Sequence, residues 1–168
     1  VRRTDPKGRR FRDIMNAELL QPLKLDSTSV GLRADLRARK IVPVWVYDKT
    51  PLAHKSSNVP GTDGAFEDEN AEMPWVGMST SVPDLHRIAM MLRNEGQLDG
   101  ADILSPVTVR QMRKNYTGDK LNELHGKNAV ARGWEPINCY AGLGLFTKGT
   151  KVHWQQLGTL TSENTFGQ

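Results

Sequence analysis

Apolar residues in "GRRFRDIMNAELLQ", residues 8 to 21, recur at spacings of three and four, so that Phe11, Ile14, Met15 and Leu19 share one face of a predicted helix. Pro22 predicts its end, because proline disfavours the helical region for the residue before it. "LDSTSVG" follows as a turn, dense in side chains that bond their own backbone. "IVPVWVY", 41 to 47, is rich in β-branched and aromatic residues and predicts a short strand, which Pro43 restricts to an edge. Residues 48 to 74 hold Pro51, Pro60, Pro74 and the acidic cluster "FEDENAE", and read as one long loop. A second amphipathic helix runs from Val82 to Glu95, with Leu85, Ile88, Ala89 and Leu92 inward and Arg87 on the opposite face. Ser81 and Asp84 have the spacing of a capping box and Gly96 is a natural stop. "LDGAD" is a turn, and Ser105-Pro106 opens a third helix with Val109 and Met112 inside. "CYAGLGLFTKG" and "KVHWQQLG" predict two strands about a Lys-Gly-Thr turn, with Gly142 and Gly144 marking a close backbone approach or a bulge. The pattern is that of one α+β domain: helix, turn and strand over 1–47, loop over 48–74, a helical region over 75–138 and strands over 139–168.

Composition narrows the function classes without naming one. No run of about 18 apolar residues exists to span a membrane. The net charge of +4 is uneven: residues 1 to 40 hold 11 Lys and Arg against 5 Asp and Glu, and the remainder is net −2. No aromatic side chains interleave with the basic block as stacking platforms, so it reads as a solvated basic face and not as a nucleic-acid surface. The single cysteine, Cys139, reads as a small buried hydrophobe. His54, His86, His125 and His153 are scattered without ligand spacing, so no metal site is expected, and no glycine pattern implies a nucleotide or other cofactor. Asn115-Tyr116-Thr117 fits a glycosylation acceptor, a triplet common by chance.

One stretch is more specific. "VGMSTSVPDLHRIAMMLRNEGQLDGADILSP", Val76 to Pro106, carries Gly77, Ser79-Thr80, Asp84-Leu85, Ala89, Met91-Leu92, Gly96, Leu98-Asp99-Gly100 and Ile103-Leu104-Ser105-Pro106 in order. In this it resembles the serine β-lactamase and penicillin-binding-protein-like superfamily, in particular its class C-like branch of esterases, β-lactamases and acyltransferases. Three further stretches agree in order. "RRFRDIMNAELLQPLKLDST" resembles the family helix that ends in Pro-Leu-Gly-Met, with Lys24 and Leu25 in place of the Gly and Met. "YAGLGLF" resembles the Gly-Leu-Gly strand, and "NTFGQ" the approach to the third motif, commonly Phe-Gly-His-x-Gly.

The resemblance implies an antiparallel sheet flanked by helices, with a helical insertion, of which this chain would hold part. It also implies acyl-enzyme chemistry at the serine of Ser-x-x-Lys. None of the eight serines has lysine three positions on, and Tyr47, Tyr116 and Tyr140 lack the asparagine of Tyr-x-Asn. No catalytic residue is therefore expected here. The chain reads as a fragment of the C-terminal half, cut between the second and third motifs, from a parent that takes a small-molecule acyl substrate. The parent would be bacterial, exported or cytoplasmic. The positions carried over as substrate-binding are Trp75 and Gly77, before the Ser-Thr pair, and Gly167 and Gln168, at the third motif. Trp75 reads equally as an anchor for the loop 48–74. Gln168 stands where the family has His or Lys. The alternatives are an acyltransferase of the same family and a non-catalytic, degenerate homologue.

Overall fold

The computed structural model describes residues 2–38, 45–48, 53–56, 69, 70, 72, 77–121, 123–135, 140–148, 162 and 165–167. The chain divides into two compact units, Val1–Ile103 and Leu104–Gln168. The fold is mixed α+β, with helices and four two-stranded antiparallel pairs among the described residues.

In the first unit, Asp5 organises the entrance. Its carbonyl accepts from Gly8 N–H (3.0 Å) and its carboxylate from Arg9 N–H (2.7 Å). These turn bonds occupy residues 5 to 9, so the helix begins three residues later than its apolar spacing predicts. α1 is Phe11–Met15, and it widens into a π-helical turn over Asn16–Leu20. Pro22 does not end it at Gln21, which keeps helical angles and donates to the Asn16 carbonyl at 2.9 Å. A bond five residues back shifts the ladder just before the residue that has no N–H to give.

The helix ends instead in a Schellman motif. Leu25 N–H donates to Leu20 C=O and Lys24 N–H to Gln21 C=O, both at 2.9 Å. Lys24 sits at φ +53°, in the left-handed region where glycine is the comfortable residue. Leu20, Leu23 and Leu25 are buried around this cap.

β1 (Ser29–Val30) pairs with β4 (Met78–Ser79), Ser29 opposite Ser79 and Val30 opposite Met78. Between them in the chain lie α2 (Ala34–Arg37), with Leu36 buried, and a hairpin of β2 (Trp45–Asp48) and β3 (Ala53–Ser56). The span read as a loop from 48 onward thus contains a strand, whose sequence AHKS gives no β signal of its own.

α3 is Val82–Arg93, with Ser81 as N-cap accepting from Asp84 N–H at 3.3 Å. Glu95 follows at φ +58°, and Gly96 N–H closes onto Met91 C=O at 2.9 Å. β5 (Gln97–Leu98) and β6 (Ala101–Asp102) form a hairpin through Asp99 and Gly100, both at positive φ, the backbone of a type I′ turn.

The inner face of α3 is rotated from the expected one. Leu85 and Ala89 are exposed, while Asp84 and Met91 are buried and Arg87, Ile88 and Leu92 half-buried. The cause is polar, because Asp84 and Arg87 both find hydrogen-bond partners inside the unit.

The second unit holds α4 (Pro106–Arg113), α5 (Glu123–Ala131), and β7 (Phe146–Thr147) paired with β8 (Phe166–Gly167). Ser105 Oγ caps α4 by accepting from Thr108 N–H at 3.1 Å, and Val109 is fully buried, as the sequence predicts. The returning segment lies against the end of α4: Leu143 N–H donates to Met112 C=O (3.2 Å), and Tyr116 N–H to Ala141 C=O (2.9 Å). A Cβ on Gly142 would clash with the Met112 carbonyl oxygen, which is why glycine stands there. The second predicted strand, "KVHWQQLG", lies outside the described residues, and so does Cys139.

Candidate functional site

The positions assigned by resemblance are divided between the units. Gly77 belongs to the first. It sits at φ +93°, and its carbonyl accepts from Gly31 N–H at 3.0 Å where the β1–β4 pair begins. Gly167 belongs to the second, in β8 directly opposite Phe146. Trp75 and Gln168 lie outside the described residues.

Lys148 N–H donates to Thr165 C=O at 2.9 Å, which makes 148/165 a hydrogen-bonded pair of the antiparallel ladder. By alternation 146/167 is another, so the N–H of Gly167 points at Phe146. Gly167 therefore offers a bound molecule its missing side chain and not a donor. A Cβ there would meet nothing within 4 Å among the described residues.

Around the stretch 76–106 the most connected group is one that the apolar pattern does not reveal. Asp84 is 7% exposed. Its Oδ2 accepts from Ser27 N–H at 2.9 Å and from the Thr28 hydroxyl at 2.6 Å. Thr28 Oγ1 lies 2.9 Å from Thr80 Oγ1. Since the one Thr28 hydroxyl proton goes to the carboxylate, Thr80 is the donor of that pair. The acid read as half of a capping box thus leaves its own helix start and bonds the strand-leading turn 57 residues earlier. The carboxylate also sits in the first turn of α3, where the helix dipole favours negative charge.

One helical turn on, Arg87 is not on the outer face that its spacing predicts. Its Nε donates to Leu23 C=O at 2.7 Å, inside the Schellman cap of α1, and its Nη2 to Asp99 at 2.6 Å, in the hairpin turn. A signal existed in the sequence: an arginine and an acid twelve residues apart across an Asp-Gly hairpin.

Four arginines of the basic N-terminal block are engaged in ion pairs. Arg9 bonds Asp5 and Glu18, Arg10 and Arg12 both meet Glu72, and Arg33 meets Asp35. The side-chain bond from Arg9 holds the Asp5 carboxyl below its ordinary range, and the bonds from Asp5 and Glu18 push Arg9 still higher. The bond to Asp35 raises Arg33 likewise.

No group of three or more His, Cys, Asp or Glu that could hold a metal occurs among the described residues, and His86 is exposed. No helix there is long and apolar enough to cross a membrane. Asn115, in the glycosylation-like triplet, uses its side-chain oxygen to accept from Thr117 N–H and Gly118 N–H at 3.1 and 3.0 Å, an Asx turn. No protein-family model matches the chain, and no curated protein matches it.

Proposed function

We propose that this chain is part of a serine hydrolase of the β-lactamase-related family, acting on an ester, amide or β-lactam through an acyl-enzyme, and that it lacks the nucleophile itself. The observation that carries the reading is the ordered pattern Gly77, Ser79-Thr80, Asp84-Leu85, Met91-Leu92, Gly96, Leu98-Asp99-Gly100, Ser105-Pro106. Residues along that stretch have local structural roles. Gly77 leads into β4, Ser81 caps α3, and Asp84 is its buried acid; Asp99-Gly100 turns the hairpin and Ser105 caps α4. Such roles account for residues of those types at that spacing, and so support a built module over a chance match.

Within this reading Trp75, Gly77, Gly167 and Gln168 are the positions carried over as substrate-binding, and Ser-x-x-Lys and Tyr-x-Asn belong to the parent and not to this chain. The 168-residue chain should then turn over neither a chromogenic short-chain ester nor a chromogenic cephalosporin, because positioning does not replace a covalent route. Turnover above a heat-treated control that survives repurification refutes that expectation. The coding sequence upstream of Val1 tests the hydrolase reading itself: an in-frame Ser-x-x-Lys supports the enzyme, and its absence refutes it in favour of a degenerate homologue. Acyl transfer to an acceptor other than water is the variant within the class. Gln168, uncharged where the family carries His or Lys, favours a second reading, a degenerate homologue without activity.

A further inference from the structure

One motif of the sequence has no part in the hydrolase reading. Asn115-Tyr116-Thr117 is the one Asn-x-Ser/Thr triplet in the chain. Such a triplet accepts an N-linked sugar only where it is presented on a surface loop. Here it directly follows α4, and every residue from 114 to 120 except the half-buried Thr117 is exposed. The loop is nevertheless fixed from beneath. Tyr116 N–H donates to Ala141 C=O, Ala141 N–H donates to Thr117 Oγ1, and the Tyr140 hydroxyl donates to Asp119, each at 2.9 Å.

These bonds decide where the polar atoms of the triplet point. Thr117 Oγ1 accepts from Ala141, so its own proton goes to Asn115 Oδ1 at 3.1 Å. That oxygen also accepts from Thr117 N–H at 3.1 Å and Gly118 N–H at 3.0 Å. Three donors therefore meet on the amide oxygen. Asn115 Nδ2, by contrast, reaches only the Gly118 carbonyl among the described residues, at 3.5 Å, the far limit of a hydrogen bond. Donors on the oxygen polarise the amide and make its N–H more acidic.

We propose that Asn115 is an acceptor for N-linked glycosylation, presented ready in the folded chain. Asn115 Nδ2 bonds to the anomeric carbon of a sugar carried on a lipid pyrophosphate. The bond from that carbon to the pyrophosphate oxygen breaks, the lipid pyrophosphate leaves with the electron pair, and one Nδ2 proton passes to a base of the transferase. The donor lies on the lumenal or outer side of a membrane, so the site is one for an exported chain. The proposal is independent of the hydrolase reading.

The test incubates the folded full chain with a purified single-subunit oligosaccharyltransferase and its lipid-linked oligosaccharide. Intact mass should rise by one glycan per chain, and peptide mapping should place it on Asn115. Asn115→Gln and Thr117→Val should remove the gain entirely, and Thr117→Ser, which keeps the hydroxyl, should retain it. Asn94→Gln, at an exposed asparagine outside any such triplet, should leave it unchanged. A synthetic peptide of residues 110–121, in which nothing holds the turn, is the comparison, and the folded chain should accept the sugar as the peptide does. No glycan on the folded chain, a glycan on another residue, or modification of the peptide alone overturns the proposal. If a variant does not fold, the mapped product of the wild-type chain decides alone.

Discussion

Removing the carboxylate of Asp84 is the sharpest test of how the first unit holds together. Asp84→Ala removes the acceptor that the Ser27 N–H uses at 2.9 Å and leaves the hydroxyl of Thr28, a residue only 1% exposed, with Thr80 Oγ1 in place of a charged partner. Hydrogen bonds to a charged group are worth about 1.5–3 kcal/mol each, and a buried donor left unmade costs about 1–3 kcal/mol. Because the two bonds share one oxygen and water can reach part of the gap, a loss of about 3 kcal/mol is expected, not the full sum. Against a total stability of about 5–15 kcal/mol that is a large share. At about 2–4 °C per kcal/mol for a chain of this size it lowers the melting temperature by roughly 6–12 °C. Asp84→Asn keeps an acceptor oxygen and should lose about half as much. Thr28→Val removes one donor at constant shape, and in the double variant with Asp84→Ala its effect should largely vanish, since the two act on one bond. Urea unfolding of wild type and these variants measures this. An Asp84→Ala chain within about 0.5 kcal/mol of wild type, the usual range for a surface change, or strict additivity with Thr28→Val, refutes the reasoning.

Three further outcomes follow from the same geometry. Arg87→Glu should cost about 1–2 kcal/mol in urea unfolding, since it gives up the Leu23 carbonyl and sets two acids together at Asp99; a neutral effect would return Arg87 to the solvent face. Lys24→Gly should raise stability by about 0.5–1 kcal/mol by relieving a left-handed lysine at the Schellman cap, and a thermal melt that falls instead contradicts that cap. Gly142→Ala should destabilise by about 1–3 kcal/mol or more, because its Cβ would meet backbone that cannot swing aside, whereas Gly144→Ala is strained only by its φ of +75°; equal effects of the two would mean that the approach to Met112 is looser than these contacts require.

What was legible in the sequence was whatever a residue does to its own neighbourhood. Ser81 and Ser105 cap helices and Asp99-Gly100 turns a hairpin, each through chemistry confined to a few residues. What was not legible depends on partners distant in the chain. Apolar spacing put Leu85 and Ala89 of α3 inside because it counts hydrophobic residues only. The helix turned toward Asp84 and Arg87 because Ser27, Thr28, Leu23 and Asp99 offer them bonds. The π-helical turn before Pro22 was hidden for a related reason, since a proline rule states what the residue forbids and not how a helix can bypass it. Of the candidate site, Gly77 and Gly167 are described and each sits in a strand-pair context. No sequence signal shows that the ladder turns Gly167 N–H away from a ligand, because that depends on which strand it meets.

The bonds from Ser27 to Asp84 and from Arg87 to Leu23, with the β1–β4 pair beside them, fasten together points of the chain that stand 57 and 64 residues apart. Whatever runs between residues 31 and 77 is an excursion whose ends are already fixed. The entropy of closing such an excursion grows only with the logarithm of its length, about 0.6 kcal/mol for each doubling. Insertions and deletions in that span that spare the buried Leu32 and Leu36 and the ion-paired Glu72 should therefore cost little, while the clasp itself tolerates little change. Related chains would be expected to differ most in length there, and to vary in what they recognise by growing or trimming that excursion while the clasp stays as it is.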